Sequence, residues 1–336
     1  MIPGYTPRIT SGGTCVIKWH YSANPHKRPG TVEGDDWIKE ESRVYQLGIQ
    51  DPRWLKEMEI KYGALGGAYL FPLWDKWKKD GNIVIPPFPP VGYRLYGSYD
   101  HGWANPAAFH VHGMDSDGVF TMGLYEFYAS HVPAHLIADL IKGKDIVTQD
   151  GRRFRGCPWF NEISFIIADP SIWAEDLPQH NGPNKSTAKI FRDCGVSFVQ
   201  GERGGDSTVA EWLNGHFWKD PKVPRLRVAC PSEFVEALPK GKEYSGFGAP
   251  MLTWEIGQQR NREWSAQVAL NRSQPEELVD KDNHAWDGMK YFLRRFPPKP
   301  KAARAEATPN TFLWWRKQAK ESSGGQSLQR TFRVGL

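Results

Sequence analysis

From residue 93 to residue 229 the chain passes through a regular succession of apolar alternation and helical periodicity. Tyr93 to Tyr99 alternates as a strand and stops at Asp100, Ala107 to His112 reads as a second strand, and Val119 to Tyr128 as a third. Asp115-Ser116-Asp117-Gly118 has hairpin-turn chemistry, so these three predict an antiparallel meander. Pro133 then opens a helix through Leu140 and Ile141, and the apolar run Ile163 to Ala168 reads as a buried strand ending at Asp169. A helix over Ser186 to Cys194 closes at Gly195, a strand follows to Gln200, and Asp206 or Ser207 caps a helix through Phe217. Arg225 to Ala229 is a further strand, and Ser232 begins a short helix. A meander followed by alternating helices and strands predicts an α/β fold, a mixed sheet with helices on both faces.

The first ninety residues are less regular. Thr14 to Tyr21 reads as a strand, Asp51-Pro52 opens a helix through Tyr62, and Gly63 to Gly67 stops it. The proline-rich stretch Asn82 to Pro90 reads as an extended connector, because consecutive prolines exclude helix and cannot donate to a central sheet. The expected organisation is an N-terminal segment and linker over 1–90, a sheet domain over 91–297, and a tail over 298–336.

Composition adds constraints. The net charge of +5 is concentrated in the tail, where eight Lys and Arg stand against Glu306 and Glu321, so the rest of the chain is close to neutral. Rich also in Pro, Ala, Ser and Gly, the tail is expected to be an extension that contacts DNA or a partner or simply remains solvated, with Leu313-Trp314-Trp315-Arg316-Lys317 as a short anchor. No run approaches the roughly 18 apolar residues of a membrane span, and the start lacks a signal-peptide pattern, so a cytoplasmic protein is expected. The four cysteines, Cys15, Cys157, Cys194 and Cys230, contain no CxxC pair, which leaves them as reduced, buried thiols.

Candidate chemistry rests on three acids that fall where elements end or turn: Asp100, Asp169 and Asp287. Carboxylates gathered by folding bind hard divalent cations. At about 100° per residue, Trp286, Met289, Leu293 and Phe296 share one side of a helix, while His284, Asp287, Gly288, Tyr291 and Arg295 share the other. Asp282 or Asn283 is suited to cap that helix, whose N-terminus favours a nearby anion. His284 could orient a water or phosphate or simply bond locally, and Glu126, Asp280 and Asp282 are further acids suited to surface or capping roles. His110 and His112, with His101 near, admit a zinc reading, but without further ligands at suitable spacing a half-exposed sheet face is expected. For DNA, the candidates are Arg203 in the loop Gly201 to Asp206, Lys185, and Arg260 and Arg262 at the end of a hairpin-like stretch starting at Lys242.

These segments resemble the nuclease domain of the large terminase subunit of tailed bacteriophages. Tyr99-Asp100-His101-Gly102 with Asn105-Pro106 resembles its first acidic motif, Ile167-Ala168-Asp169-Pro170 its second, and Asp282 to Tyr291 its third, in the right order. Phe71-Pro72-Leu73-Trp74 and Val84 to Phe88 resemble the segment that precedes that domain. The resemblance implies a ribonuclease H-like fold, with the strand ending at Asp169 beside the one ending at Asp100. It also implies two Mg²⁺ or Mn²⁺ ions held by Asp100, Asp169 and Asp287, with His284 assisting, and cleavage of double-stranded DNA during genome packaging. Portal protein, small terminase subunit and a packaging ATPase are the implied partners. No GxxxxGK[ST] loop is present, and Gly182 to Thr187 lacks its spacing, so no ATP hydrolysis is expected from this chain. A junction resolvase or transposase of the same fold, or a non-catalytic DNA-binding packaging protein, are the alternatives.

Overall fold

Two short strands, β1 (Tyr5–Ile9) and β2 (Cys15–Trp19), pair antiparallel near the start of the chain. The structure, a computed structural model, describes residues 4–9, 12–61, 64, 66–88, 91–174, 186–263, 278–279 and 281–298. Helix α1 (Val32–Glu41) is capped by Thr31, and α2 (Pro52–Glu57) by Asp51, whose carboxylate accepts from the Arg53 amide at 3.0 Å. The sequence carries the second helix to Tyr62, but it ends at Glu57, and Ile60 takes a left-handed backbone (φ 55°) that no helix can continue through. Helix α3 (Trp74–Asp80) ends on Gly81 in the left-handed region, and β3 (Val84–Ile85) follows.

The central layer is then laid down in order. Strands β4 (Arg94–Asp100), β5 (Ala107–Met114) and β6 (Phe120–Ala129) form the expected antiparallel meander. After α4 (Ala134–Ile141) and a small hairpin of β7 (Ile146–Val147) and β8 (Arg153–Phe154), strand β9 (Ile163–Ala168) pairs parallel to β4 on its free side. Helix α5 (Thr187–Asp193), capped by Ser186, leads to β10 (Val199–Gln200), which pairs parallel to β9. The order β10-β9-β4-β5-β6 is that of the ribonuclease H-like fold.

The sheet extends beyond this five-stranded core. Helix α6 (Asp206–Trp212) is followed by β11 (Leu226–Ala229), which pairs parallel to the first part of β6, and β3 pairs parallel to β11. Residues 71–85 therefore enter the same core as the sheet: Phe71, Trp74 and Trp77 pack around Trp218, with Ile83 and Val84 beside them. Up to Pro297 the chain is a single compact unit. Strand β12 (Tyr244–Phe247) pairs with the second part of β6, which changes partner at Gly123, a left-handed glycine whose missing side chain leaves room for Ala249.

The stretch starting at Lys242 is not a hairpin. After β12, Pro250–Gln258 forms helix α7, with Pro250 at its first position, where a missing N–H costs nothing. Helix α8 (His284–Arg294) is the last described element. Every β4–β6 residue except Arg94 and Met114 is buried, because both sheet faces are covered. Helices α4 and α5 lie over Leu95, Tyr99, Phe109, Val111 and Phe127, while α3, α6, α7 and α8 cover the other face.

Cys157 and Cys230 are buried, and burial pushes both thiols up to about 12. Cys194 is half-buried and Cys15 is exposed, contrary to the uniformly buried expectation, since β2 belongs to a two-stranded ribbon with little to cover it. Among the described residues no helix is long and apolar enough to cross a membrane. The tail and its Trp314-Trp315 anchor, together with Lys185 and Asp280, lie outside the described residues.

Candidate active site

Asp100 is the last residue of β4, and Asp169 directly follows β9. Because these strands are parallel neighbours, their C-terminal ends share one sheet edge, where open α/β sheets form their clefts. The Asp169 amide donates to the Tyr99 carbonyl at 3.0 Å, which fixes the two acids relative to each other. Helix α8 brings the third. A methyl group on Gly288 would lie 3.2 Å from Ser98 Oγ and 3.5 Å from His110 Nδ1, so glycine at this position lets the helix rest on the strands. His284 and Asp287, within the turn before it, are thereby carried to the same edge.

Each acid has a defined partner. Asp100 Oδ2 lies 3.1 Å from His284 Nδ1, and Asp169 Oδ1 accepts from the Ser171 amide at 3.0 Å and the Tyr291 hydroxyl at 3.3 Å. Asp169 Oδ2 also accepts from the Ser171 hydroxyl. Asp287 Oδ1 pairs with Lys290 Nζ at 2.6 Å, and its Oδ2 accepts from Asn283 Nδ2 at 3.3 Å. Burial, reinforced by the negative charges of Asp287 and Asp169, pushes the Asp100 carboxyl up to about 7 against the opposing hydrogen bond from His284. Burial likewise raises Asp287. Burial acts against the charged form of His284, but the hydrogen bond and charge of Asp100, with Glu255 and Asp287, outweigh it and raise its pKa. Asp100 thus feels the negative charge of both Asp169 and Asp287.

Two buried glutamates hold the helices that build this edge. Glu126 on β6 accepts from the Met251 and Leu252 amides at 2.8 and 2.9 Å, capping α7, and pairs with His110 Nε2 at 2.9 Å. Glu255 on α7 accepts from the Trp286 amide at 2.9 Å and from the Tyr128 hydroxyl at 2.7 Å, capping α8 in turn. Neither Asp282 nor Asn283 caps α8 as the sequence suggests. Asn283 turns its amide to Asp287, Asp282 has a left-handed backbone, and the fully buried Glu255 supplies the acceptor instead.

The histidine pair on β5 is also buried rather than half-exposed. His112 Nε2 lies 2.8 Å from Ser98 Oγ, its Nδ1 accepts from the Gly123 amide at 3.2 Å, and burial depresses its pKa. These partners leave it engaged in the core, and among the described residues His110 Nδ1 is a buried polar atom without a hydrogen bond.

The donors of Asp100, Asp169 and Asp287 are all carboxylate oxygens, the chemistry hard divalent ions select. Burial and, to a lesser extent, the charges of Asp287 and Asp169 disfavour the ionised Asp100, and added positive charge relieves both. As the side chains stand, no group of three or more His, Cys, Asp or Glu among the described residues is gathered into a metal cage. The acids point instead to His284, to Ser171 and Tyr291, and to Lys290. The residues fit a divalent ion by donor type and charge, with side-chain rotation required to close around it.

No family model matches the chain, and no curated protein matches it. Solved structures do. The large terminase of a thermophilic bacteriophage, in one crystal form, is similar with a TM-score of 0.46 at 17% identity, over 77% of this chain and 51% of that one. The P22 large terminase nuclease domain gives a TM-score of 0.42 at 15% identity, over 69% of this chain and 95% of that one. The nuclease domain of the large terminase from bacteriophage SPP1, solved with bound Mn, gives 0.38 at 16% identity, over 63% and 94%. The chain spans about half the length of the large terminase from the thermophilic phage. The fold assignment stands on the strand order itself.

Of the basic candidates, Arg203 lies on the loop that follows β10. Its loop leaves β10 beside Asp169, with the Gly201 amide donating to the Ala168 carbonyl at 2.8 Å. Arg294, at the end of α8, clamps that loop by donating to the carbonyls of Glu202, Arg203 and Gly204 at 3.3, 2.5 and 2.9 Å. Arg260 and Arg262 follow α7, where the backbone bridges Arg260 to Tyr69 and Asn261 to Leu278.

Sequence reasoning assigns no role to Lys290, Glu255 or Arg294, and it takes Asp206 only as a helix cap and Tyr291 only as a member of the polar helix face, with no partner for either. Lys290 carries a signal, three residues after Asp287 on one helix, the spacing of an ion pair. Glu255, an acid inside the apolar run Met251 to Ile256, carries another. Asp206 carries none, since its partners Trp286 and Lys290 are 80 and 84 residues away in the chain.

Proposed function

We propose that this chain is a divalent-metal-dependent endonuclease that cleaves double-stranded DNA during phage genome packaging. The observation that carries the reading is the meeting of Asp100, Asp169 and Asp287 at one sheet edge, with His284 bonded to Asp100. The resemblance of the three acidic segments to terminase nuclease motifs narrows the substrate to packaged DNA, with portal protein, small terminase subunit and a packaging ATPase as partners.

Asp100, Asp169 and Asp287 would hold Mg²⁺ or Mn²⁺. When bound, such ions supply Lewis acidity toward a phosphodiester and make water a competent nucleophile near neutral pH. The protein's own groups do the positioning. Tyr291 and Ser171 fix the carboxylate of Asp169, and His284 orients Asp100 through Nδ1 while Nε2 is the nitrogen left to hold a proton for a phosphate oxygen or water. The α8 N-terminus, whose backbone dipole favours negative charge, faces the same edge and suits a phosphate there. Arg203, on a loop held by Arg294, supplies a cation for the DNA backbone.

The test is supercoiled plasmid incubated with the purified chain in Mn²⁺, Mg²⁺ or EDTA. Nicking and linearisation are expected with Mn²⁺ or Mg²⁺ and none in EDTA. Asp100→Asn, Asp169→Asn and Asp287→Asn should each lower the rate by about a thousandfold, since metal-assisted stabilisation is a matter of several kcal/mol. Cleavage that survives EDTA and these substitutions refutes the reading, and a strong preference for branched DNA points to a resolvase instead.

A further inference from the structure

The acidic cluster is larger than three residues and is not uniform. Asp206, at the start of α6, joins it through Lys290, whose Nζ lies 2.6 Å from Asp287 Oδ1 and 2.9 Å from Asp206 Oδ1. Asp206 is itself fixed by the Trp286 indole N–H at 3.1 Å. Lys290 is 5% exposed, a rare location for lysine unless its charge is paired, and here it is paired twice. Asp100 and Asp169 differ: among the described residues their hydrogen-bond partners are His284, Ser171 and Tyr291, with no lysine or arginine. The cluster therefore divides into a half neutralised by a tethered ammonium and a half whose carboxylates, among the described residues, have the titratable His284 but no lysine or arginine.

We propose that Lys290 is a resident cation of this site, occupying with its ammonium the place of one divalent ion, so that the chain binds a single Mn²⁺ tightly, on the Asp100 and Asp169 side. The inference rests on the metal-dependent reading above and narrows it: one tightly bound ion in place of the two that the resemblance implies, with Asp287 contributing through its pair with Lys290 rather than as a ligand of that ion. The reason is Coulombic. An ammonium in contact with Asp287 repels a second divalent ion approaching the same carboxylate, and in a largely buried site that repulsion is weakly screened. Lys290 cannot simply swing away, because its departure would strand Asp206 and Asp287 together without a counter-charge.

Mn²⁺ binding to the metal-free protein, followed by isothermal titration calorimetry and by the electron paramagnetic resonance signal of free Mn²⁺, tests this without recourse to cleavage. Wild type should bind one ion tightly. Lys290→Met, which keeps the length and packing of the stem, should bind two, the second at least about tenfold tighter than any second ion in wild type. Lys290→Arg, which keeps the charge, should behave as wild type, and circular dichroism verifies that both variants fold. Two equally tight ions in wild type, or identical binding by wild type and Lys290→Met, overturns the proposal and leaves the metal-dependent reading standing. No Mn²⁺ binding by wild type overturns both. The wild-type count decides the matter alone if Lys290→Met does not fold.

Discussion

The two faces of the central sheet are both buried and both carry apolar clusters, yet only one of them also buries a set of polar and charged strand residues. Toward α4 and α5 the strands present Leu95, Tyr99, Phe109, Val111 and Phe127, an apolar layer. Toward α7 and α8 the same strands present Ser98, Asp100, His110, His112, Glu126 and Tyr128, buried polar groups joined by short hydrogen bonds. The cause is strand alternation, which sends neighbouring residues to opposite faces. The lesson is a division of labour. Apolar packing can hold one face without regard to direction, whereas a face that carries functional acids must find partners for the polar atoms it buries, as it does here for all the described side chains but His110 at Nδ1. Glu126 and Glu255 meet that need by capping α7 and α8, so the groups that offset polar burial also aim the helix bearing His284 and Asp287.

Substitutions on the two faces should separate stability from function. Phe109→Ala, in the apolar layer, should cost about 3–5 kcal/mol in urea unfolding while leaving Mn²⁺ affinity unchanged below the melting transition. If its metal affinity falls as well, the faces are not independent. Glu255→Ala should cost about 3 kcal/mol, because it uncaps α8 and leaves the Tyr128 hydroxyl without its acceptor, and it should weaken Mn²⁺ binding too.

Glu255 also makes a pH prediction. Burial pushes its carboxyl from 4.5 up to about 8 in the folded chain. The folded protein thus holds that proton more tightly than the unfolded chain does, so the associated stability is complete below about pH 4.5 and is lost as pH rises through about 8. Glu255→Gln cannot titrate, and its melting temperature measured across that window should fall less steeply than that of wild type, by the equivalent of about 4 kcal/mol at the alkaline end. Parallel curves would remove Glu255 as the source. The smallest effect is expected at Arg294, where a partly exposed ion pair with Glu202 contributes under about 1 kcal/mol to stability. Arg294→Ala should instead release the Arg203 loop and weaken duplex DNA binding a few-fold in a fluorescence anisotropy titration, with a shallower salt dependence.

Much of the fold is legible in the sequence because its signals are local. The meander, the buried strand before Asp169, the helix from Ser186 and the helix from His284 follow from alternation, turn chemistry and helical period, and the resemblance implies the placing of Asp100 beside Asp169. Most of the departures have one origin. Asn283 looks like a cap, and His110 and His112 look half-exposed, because their surroundings come from remote strands and helices. The stretch after Lys242 differs, since Pro250 at the head of an apolar run is a sufficient local cue for helix α7 rather than a hairpin.

By itself, then, the sequence determined which residues are acidic and which elements carry them, since those properties are set by residues a few positions apart, while the placing of the Asp169 strand beside the Asp100 strand was implied by the resemblance alone. Only the tertiary structure decided how each carboxylate is partnered: His284 at Asp100, the Tyr291 hydroxyl at Asp169, and Lys290 between Asp287 and Asp206. Burial and Coulomb energy depend on distances in space, and residues 84 positions apart in the chain, such as Asp206 and Lys290, have no such distance until the chain is folded.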